Sequence, residues 1–123
     1  MPLTRASRIP VVVASGSQTA TLDSLHTVLS TATPGIYVFR VDLDALTIVS
    51  GVGEVLELTI NTAILSGGTV RQAFFATAMA GTDANKVLIS PEIVCPFGAD
   101  FILEQPTTAG ATGRAFPWSV ERT

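Results

Sequence analysis

An all-β domain, an antiparallel β-sandwich or jelly roll of about eight short strands, is the fold class this sequence predicts. Apolar residues recur in short runs, mostly with period two, as half-buried strands require. Glycine and proline clusters break the runs at Thr33-Pro34-Gly35, Ser66-Gly67-Gly68, residues 81–85, Pro96-Phe97-Gly98 and residues 106–113. Helical signal is confined to one possible turn over Asp42 to Val49, which Ser50-Gly51-Val52-Gly53 ends at once. A sheet with one apolar face needs a second sheet to cover it, which favours the sandwich over other all-β forms.

The clearest strand is EVLELTINTAIL at residues 54–65, with Leu56, Leu58 and Ile60 on one face and Glu57, Thr59 and Asn61 on the other. Ser66-Gly67-Gly68-Thr69 follows, where glycine tolerates the positive φ of a tight hairpin, so residues 69–79 are expected to return antiparallel. Upstream strands are expected at residues 9–15, 24–31 and 36–43, and downstream ones at 86–90, 92–95, 101–105 and 114–121. Proline cannot donate to a ladder, so Pro117 predicts an edge or bulged last strand, and Pro91 predicts a bend between two strand pieces. The expected core is Val38, Leu56, Leu58, Ile60, Phe74, Ile89, Leu103, Phe116 and Trp118.

Length admits one domain, residues 9–123, preceded by a polar N-terminal arm at residues 1–8 that is expected to be flexible and carries Arg5 and Arg8. The apolar run Ile9 to Ala14 is shorter than a secretion signal's core and is interrupted by Pro10, so no signal is expected there. Seven basic and ten acidic residues give a net charge of −3, and the single lysine is Lys86. That balance argues against nucleic acid and against anionic membrane surfaces as partners, since both select clustered Lys and Arg. Yet the chain is only 14% charged and 47% hydrophobic, with a mean hydropathy of +0.49. Soluble domains average about a quarter charged residues. Part of this surface is therefore expected to be covered by protein neighbours.

Catalytic chemistry is poorly supplied, and the expectation is a protein that is not an enzyme and holds no cofactor or metal. His26 is the single histidine and Cys95 the single cysteine, too few for a structural zinc site or a hydrolase triad. Cys95 is expected as a small buried hydrophobe and His26 as a satisfied strand or surface residue. Asp42 and Asp44 could offer two carboxylates to calcium, but no EF-hand pattern surrounds them and Asp at a strand end commonly caps a turn. A glycosidase pair among Asp23, Glu54, Glu57, Glu92 and Glu104 would usually sit in a cleft with several aromatics, and the chain has one Trp and one Tyr. Gly67-Gly68 and Gly110 to Arg114 lack the G-K-[ST] ending of a phosphate loop. Arg114, with Arg5 and Arg8, is a candidate partner contact.

Several segments in order carry a resemblance. They are Val41-Asp42-Leu43-Asp44-Ala45-Leu46, Glu57-Leu58-Thr59-Ile60, Leu65-Ser66-Gly67-Gly68-Thr69-Val70-Arg71, Ser90-Pro91, Leu103-Glu104-Gln105 and Thr112-Gly113-Arg114-Ala115-Phe116-Pro117-Trp118-Ser119-Val120. Across residues 36–121 the chain resembles a group of small all-β virion proteins of tailed bacteriophages, with a departure at Gly98-Ala99-Asp100, where a large residue is the pattern. The resemblance implies a capsid decoration or cement protein, made in the bacterial cytoplasm and located on the capsid exterior. It would bind across joints of the major capsid protein or other virion proteins as a homo-oligomer, a trimer suiting three-fold positions. A tail, neck or baseplate component, or a carbohydrate- or receptor-binding sandwich with Trp118 or Tyr37 as a stacking platform, is the alternative. The pattern carries no catalytic residue to transfer.

Overall fold

The computed structural model describes residues 10–83 and 86–123 and is a β-sandwich, with no helix among those residues. Its strands are β1 (Val11–Thr19), β2 (His26–Thr31), β3 (Gly35–Asp42), β4 (Ile48–Val49), β5 (Val52–Gly53), β6 (Val55–Ala63), β7 (Val70–Met79), β8 (Val87–Ile89), β9 (Ile93–Cys95), β10 (Ala99–Glu104) and β11 (Ala115–Arg122). One sheet runs β1-β11-β3-β8 with β9 also on β3; the other runs β2-β10-β6-β7; β4 and β5 form a small hairpin. All these strand pairings are antiparallel. The hairpin of β4 and β5 stands where the sequence allowed a helical turn, with Ser50 at φ 52° and Gly51 at φ 76° between the two strands. The polar arm at residues 1–8, with Arg5 and Arg8, lies outside the described residues.

The β6–β7 hairpin forms as its alternation predicts, although residues 64–69 make a longer connection than a two-residue turn. Leu56, Leu58 and Ile60 are fully buried with Leu103 and Phe116, as expected, and Phe74 and Trp118 are half-buried against the same core. The two sheets meet on aromatic rings. Phe101 of β10 lies 5.4 Å from Tyr37 and 5.4 Å from Phe39 of β3, and Phe39 lies edge-on to Trp118 of β11 at 6.5 Å. Such tilted pairs add about 0.5–1.5 kcal/mol each beyond area burial.

Two expected core residues face outward. β3 reads Ile36-Tyr37-Val38-Phe39-Arg40-Val41-Asp42, apolar in both phases over its first half, so Val38 taken locally reads as core, while Arg40 and Asp42 mark its phase as the outer one. Tyr37, Phe39 and Val41 are buried, and Val38 is on the outer face. The register pairs Val41 with Leu88 and Arg40 with Ile89, which turns Leu88 inward and leaves Ile89 about half exposed.

Pro117 also differs from expectation, since β11 is interior, between β1 and β3, and is regular at that point. The β3 ladder begins only at Trp118 opposite Val41, so Pro117 has a ladder partner, Ser17, on one side alone. Pro91 does separate β8 from β9, as predicted. Buried Ser90 repairs the break: its N–H donates to the Phe39 carbonyl at 2.9 Å, and its hydroxyl accepts from the Phe39 N–H at 2.9 Å. At Gly98, φ is +88° and a Cβ would lie 2.0 Å from the Thr31 carbonyl oxygen, so β2 passes too close for any side chain there, and Ala99, the small residue that follows it, is buried.

Phe101→Ala is expected to lower the unfolding free energy by about 3–5 kcal/mol, whereas Ile89→Ala, outside the core, should change it by less than about 0.5 kcal/mol. Urea unfolding midpoints of the two variants check the assignment of inner and outer faces.

Candidate functional site

Two places concentrate the residues of interest: a buried polar clamp at one end of the sandwich, and the outer face of the sheet containing β3.

The clamp is built on Glu54 and Gln105, both fully buried. Glu54 stands just before β6, and its Oε1 accepts from the Thr47 N–H at 2.9 Å and from Arg114 Nε at 2.9 Å. Its Oε2 accepts from the Thr112 N–H at 3.2 Å. Gln105 follows β10; its Nε2 donates to the Thr112 carbonyl and its Oε1 accepts from the Arg114 N–H, each at 2.9 Å. Arg114, the described member of the candidate partner contacts, therefore directs its guanidinium inward, and its side chain keeps 30% exposure. Burial pushes the Glu54 carboxyl up, but the hydrogen bonds from Arg114, Thr47 and Thr112, with the Arg114 charge, outweigh it and hold the group below the usual carboxylate range.

Asp42, Asp23 and His26 are also engaged in building the fold, whereas Glu92 is exposed. Asp42 Oδ1 accepts from the Asp44 N–H at 2.8 Å, the turn-capping role expected for that pair. Asp23 sits at φ 62°, held there by the Thr107 hydroxyl and by the Thr107 N–H at 2.8 Å, and these hydrogen bonds lower its carboxyl. His26 Nε2 accepts from the Thr21 N–H at 2.9 Å, and its Nδ1 lies 3.3 Å from Gln18 Nε2. Cys95 is fully buried, and that burial raises its thiol. No cluster of three or more potential metal ligands occurs among the described residues. Tyr37, a candidate stacking platform, is buried with its hydroxyl donating to the Thr33 carbonyl, and Trp118 is partly covered by Phe39.

Glu57 and Glu104 face each other across β6 and β10 on the outer face of the second sheet. Partial burial raises the Glu57 carboxyl, and the Glu104 charge raises it further. This is the cross-strand like-charge pair that destabilises a sheet.

The outer face of the sheet containing β3 has a different character. The register sets Ile36 beside Val94, Arg40 beside Ile89, Asp42 beside Val87 and Val38 beside Glu121. Val87, Ile89 and Val94 are 46%, 49% and 67% exposed, and Val12 at the far edge is 55% exposed. Arg40 and Glu121 in its midst neutralise each other through Nε to Oε1 at 2.8 Å. The chain thus presents an open aliphatic surface that carries one internally compensated ion pair and, at its end, the Asp42 carboxylate that caps a turn. Sequence reasoning placed Val38 and Ile89 of this face in the core and offered none of its residues as a contact. The signal was present in Ile36-Tyr37-Val38-Phe39 and Val87-Leu88-Ile89, which are apolar in both phases and so supply a second face to cover.

Comparison with protein families, with curated proteins and with solved structures finds no match to this chain.

Arg114→Ala leaves the Glu54 charge buried and unpaired and is expected to cost about 3 kcal/mol, more than an exposed ion pair would. Because the Glu54 carboxyl is held low, its contribution is present above the unfolded value near 4.5 and is lost as pH falls through the lower folded value. Thermal melts of the wild type and Glu54→Gln should therefore converge on acidification. Glu57 has the opposite sign: its raised folded carboxyl costs stability at neutral pH, and that cost vanishes as pH falls through it. Glu104→Gln should raise Tm at pH 7, with the gain shrinking in acid.

Proposed function

We propose that this chain is a non-enzymatic structural protein of a tailed-phage particle, a capsid decoration or cement protein that binds on the capsid exterior across joints of the major capsid protein. The observation that carries the reading is the outer face of Ile36, Val38, Val87, Ile89 and Val94, whose central ion pair is satisfied within the chain. Contiguous aliphatic surface of this kind marks a protein contact. The ordered segments from Val41-Asp42-Leu43 to Phe116-Pro117-Trp118-Ser119, which resemble small phage virion proteins, support the setting. Function by cover alone is also supported by the polar groups: Asp23, Asp42, Glu54 and His26 each hold a backbone N–H in place.

The mechanism is mass action. A protein that binds the assembled shell and not its separated subunits stabilises the shell by RT ln(1 + [L]/Kd), about 2.7 kcal/mol at a hundredfold excess over Kd. An oligomer matching the local symmetry of the shell would engage several joints at once, which raises avidity without new contacts.

Purified protein added to capsids stripped of it should co-sediment to saturation and raise the temperature at which the shells come apart. Ile89→Asp combined with Val94→Asp should weaken binding at least tenfold while leaving the melt of the free protein nearly unchanged. No co-sedimentation would sink the cement reading, and density at the tail rather than over capsomer joints in an intact particle imaged by cryo-electron microscopy would relocate the protein to the tail.

A further inference from the structure

Among the described residues β1 has one ladder neighbour, β11, so its other side is an open sheet edge. Native edges are blunted by charge, proline or brevity. The β8–β9 edge is broken at Pro91, β2 has six residues, and β7 carries Arg71. β1 has none of these: its nine residues, Val11–Thr19, include no charge and no proline, and Val11, Val12 and Val13 are 58%, 55% and 40% exposed. A register shift between Val12 and Ala14 precedes a regular run from Ala14 to Thr19.

One hydrogen bond fixes which backbone groups of that run are free. The Ala20 N–H donates to the Arg114 carbonyl at 2.8 Å, in step with the pairing of Thr19 with Ala115. Hydrogen-bonded and non-hydrogen-bonded pairs alternate along an antiparallel ladder, so Gln18, Gly16 and Ala14 bond to β11, while Ser17 and Ser15 turn their N–H and C=O groups out of the sheet. Pro117, opposite Ser17, fits this phase, because no N–H is required of it toward β1. Gly16 lies between the two serines, and a Cβ there would sit 3.4 Å from the Trp118 indole, which covers the position instead. A strand glycine lets another backbone come close, and an aromatic ring over it restores the lost contact.

We infer that β1 pairs antiparallel with β1 of a second copy about a two-fold axis at Gly16. Ser15 then stands opposite Ser17 of the second copy, and Ser17 opposite Ser15, each pair exchanging two N–H···O bonds; the two Gly16 residues meet between them as the close, non-hydrogen-bonded pair. The free backbone groups select an extended strand as occupant, and the side chains select this one. A two-fold axis sets a strand against its own sequence, so a charge near the axis is brought up to its own copy; Ala14-Ser15-Gly16-Ser17-Gln18 has none and is small at its centre. The register is also selected. An axis at Ser15 would need the irregular Val13, and one at Ser17 would need Thr19, whose carbonyl already accepts from Gln18 Nε2 at 2.9 Å. Paired about Gly16, the two sheets become one with both outer faces on the same side. That consequence alone rests on the proposed function, where it extends the aliphatic surface offered to the shell.

The test uses no capsids, so failure to pair and failure to bind a shell are separate results. The full chain should sediment as a dimer, and amide exchange at Ser15 and Ser17 should slow as protein concentration rises. Ser17→Ala keeps the backbone donor and should stay dimeric, whereas Ser17→Pro removes it without touching the β11 ladder and should weaken the dimer at least tenfold. A chain with Ser15→Lys and Ser17→Lys, and another with Ser15→Glu and Ser17→Glu, set like charges opposite each other in both pairs. Each should be monomeric alone, and their equimolar mixture should restore the dimer. Near-ultraviolet circular dichroism shows that each variant is folded. A monomeric or trimeric wild type, a Ser17→Pro chain as dimeric as the wild type, or a mixture of the charged chains that stays monomeric would each overturn the proposal.

Discussion

A carboxylate withdrawn from water is the constraint on which this fold's connectivity turns. Glu54 has no exposed surface, and a lone buried charge costs several kcal/mol unless its oxygens are matched. The match comes from Thr47, just before the small hairpin of β4 and β5, and from Thr112 and Arg114 at the end of the loop that leads from one sheet to the other. Gln105 binds the same loop from the end of β10. Two side chains of the second sheet therefore set where β11 enters the first, and Arg114 is held before β11 begins. The Ala20 N–H, which donates to the Arg114 carbonyl at 2.8 Å, extends the same anchor to the end of β1.

From that anchor the two sheets close on Phe101, which meets Tyr37 and Phe39 at equal centroid distances. Fixing the aromatic side of β3 inward has an unavoidable consequence, because alternate residues of a strand point to opposite faces. Ile36 and Val38 must then lie outside, and β8 and β9 add Val87, Ile89 and Val94 beside them. The core and the proposed capsid-facing surface are two sides of the same strands. A sheet built this way carries apolar side chains on both faces, and part of the chain's low charge content lies there.

The proposed capsid-facing surface sets aliphatic side chains around an ion pair that is closed within the chain, as expected of a contact whose centre excludes water.

Much of this was legible in the sequence. Period-two runs such as Leu56-Glu57-Leu58-Thr59-Ile60 fix a strand and its buried face by themselves, because polar residues occupy every alternate position, and Pro91 and Gly67 mark a break and a turn by stereochemistry alone. The sequence also determined that the chain carries more apolar surface than its charge can offset. Val38 could not be placed from Ile36-Tyr37-Val38-Phe39, since both phases are apolar there; packing of Tyr37 and Phe39 on Phe101 put it outside. Pro117 marked a missing donor, and the point where the β3 ladder begins decided that an interior strand could carry it. Arg114 suggested a contact, and tertiary structure turned that contact inward to Glu54, sixty residues away. Local stereochemistry and periodicity act within a few residues and are written in the chain. Facing, register and charge pairing join residues remote in sequence, and only the packed sandwich brings them together.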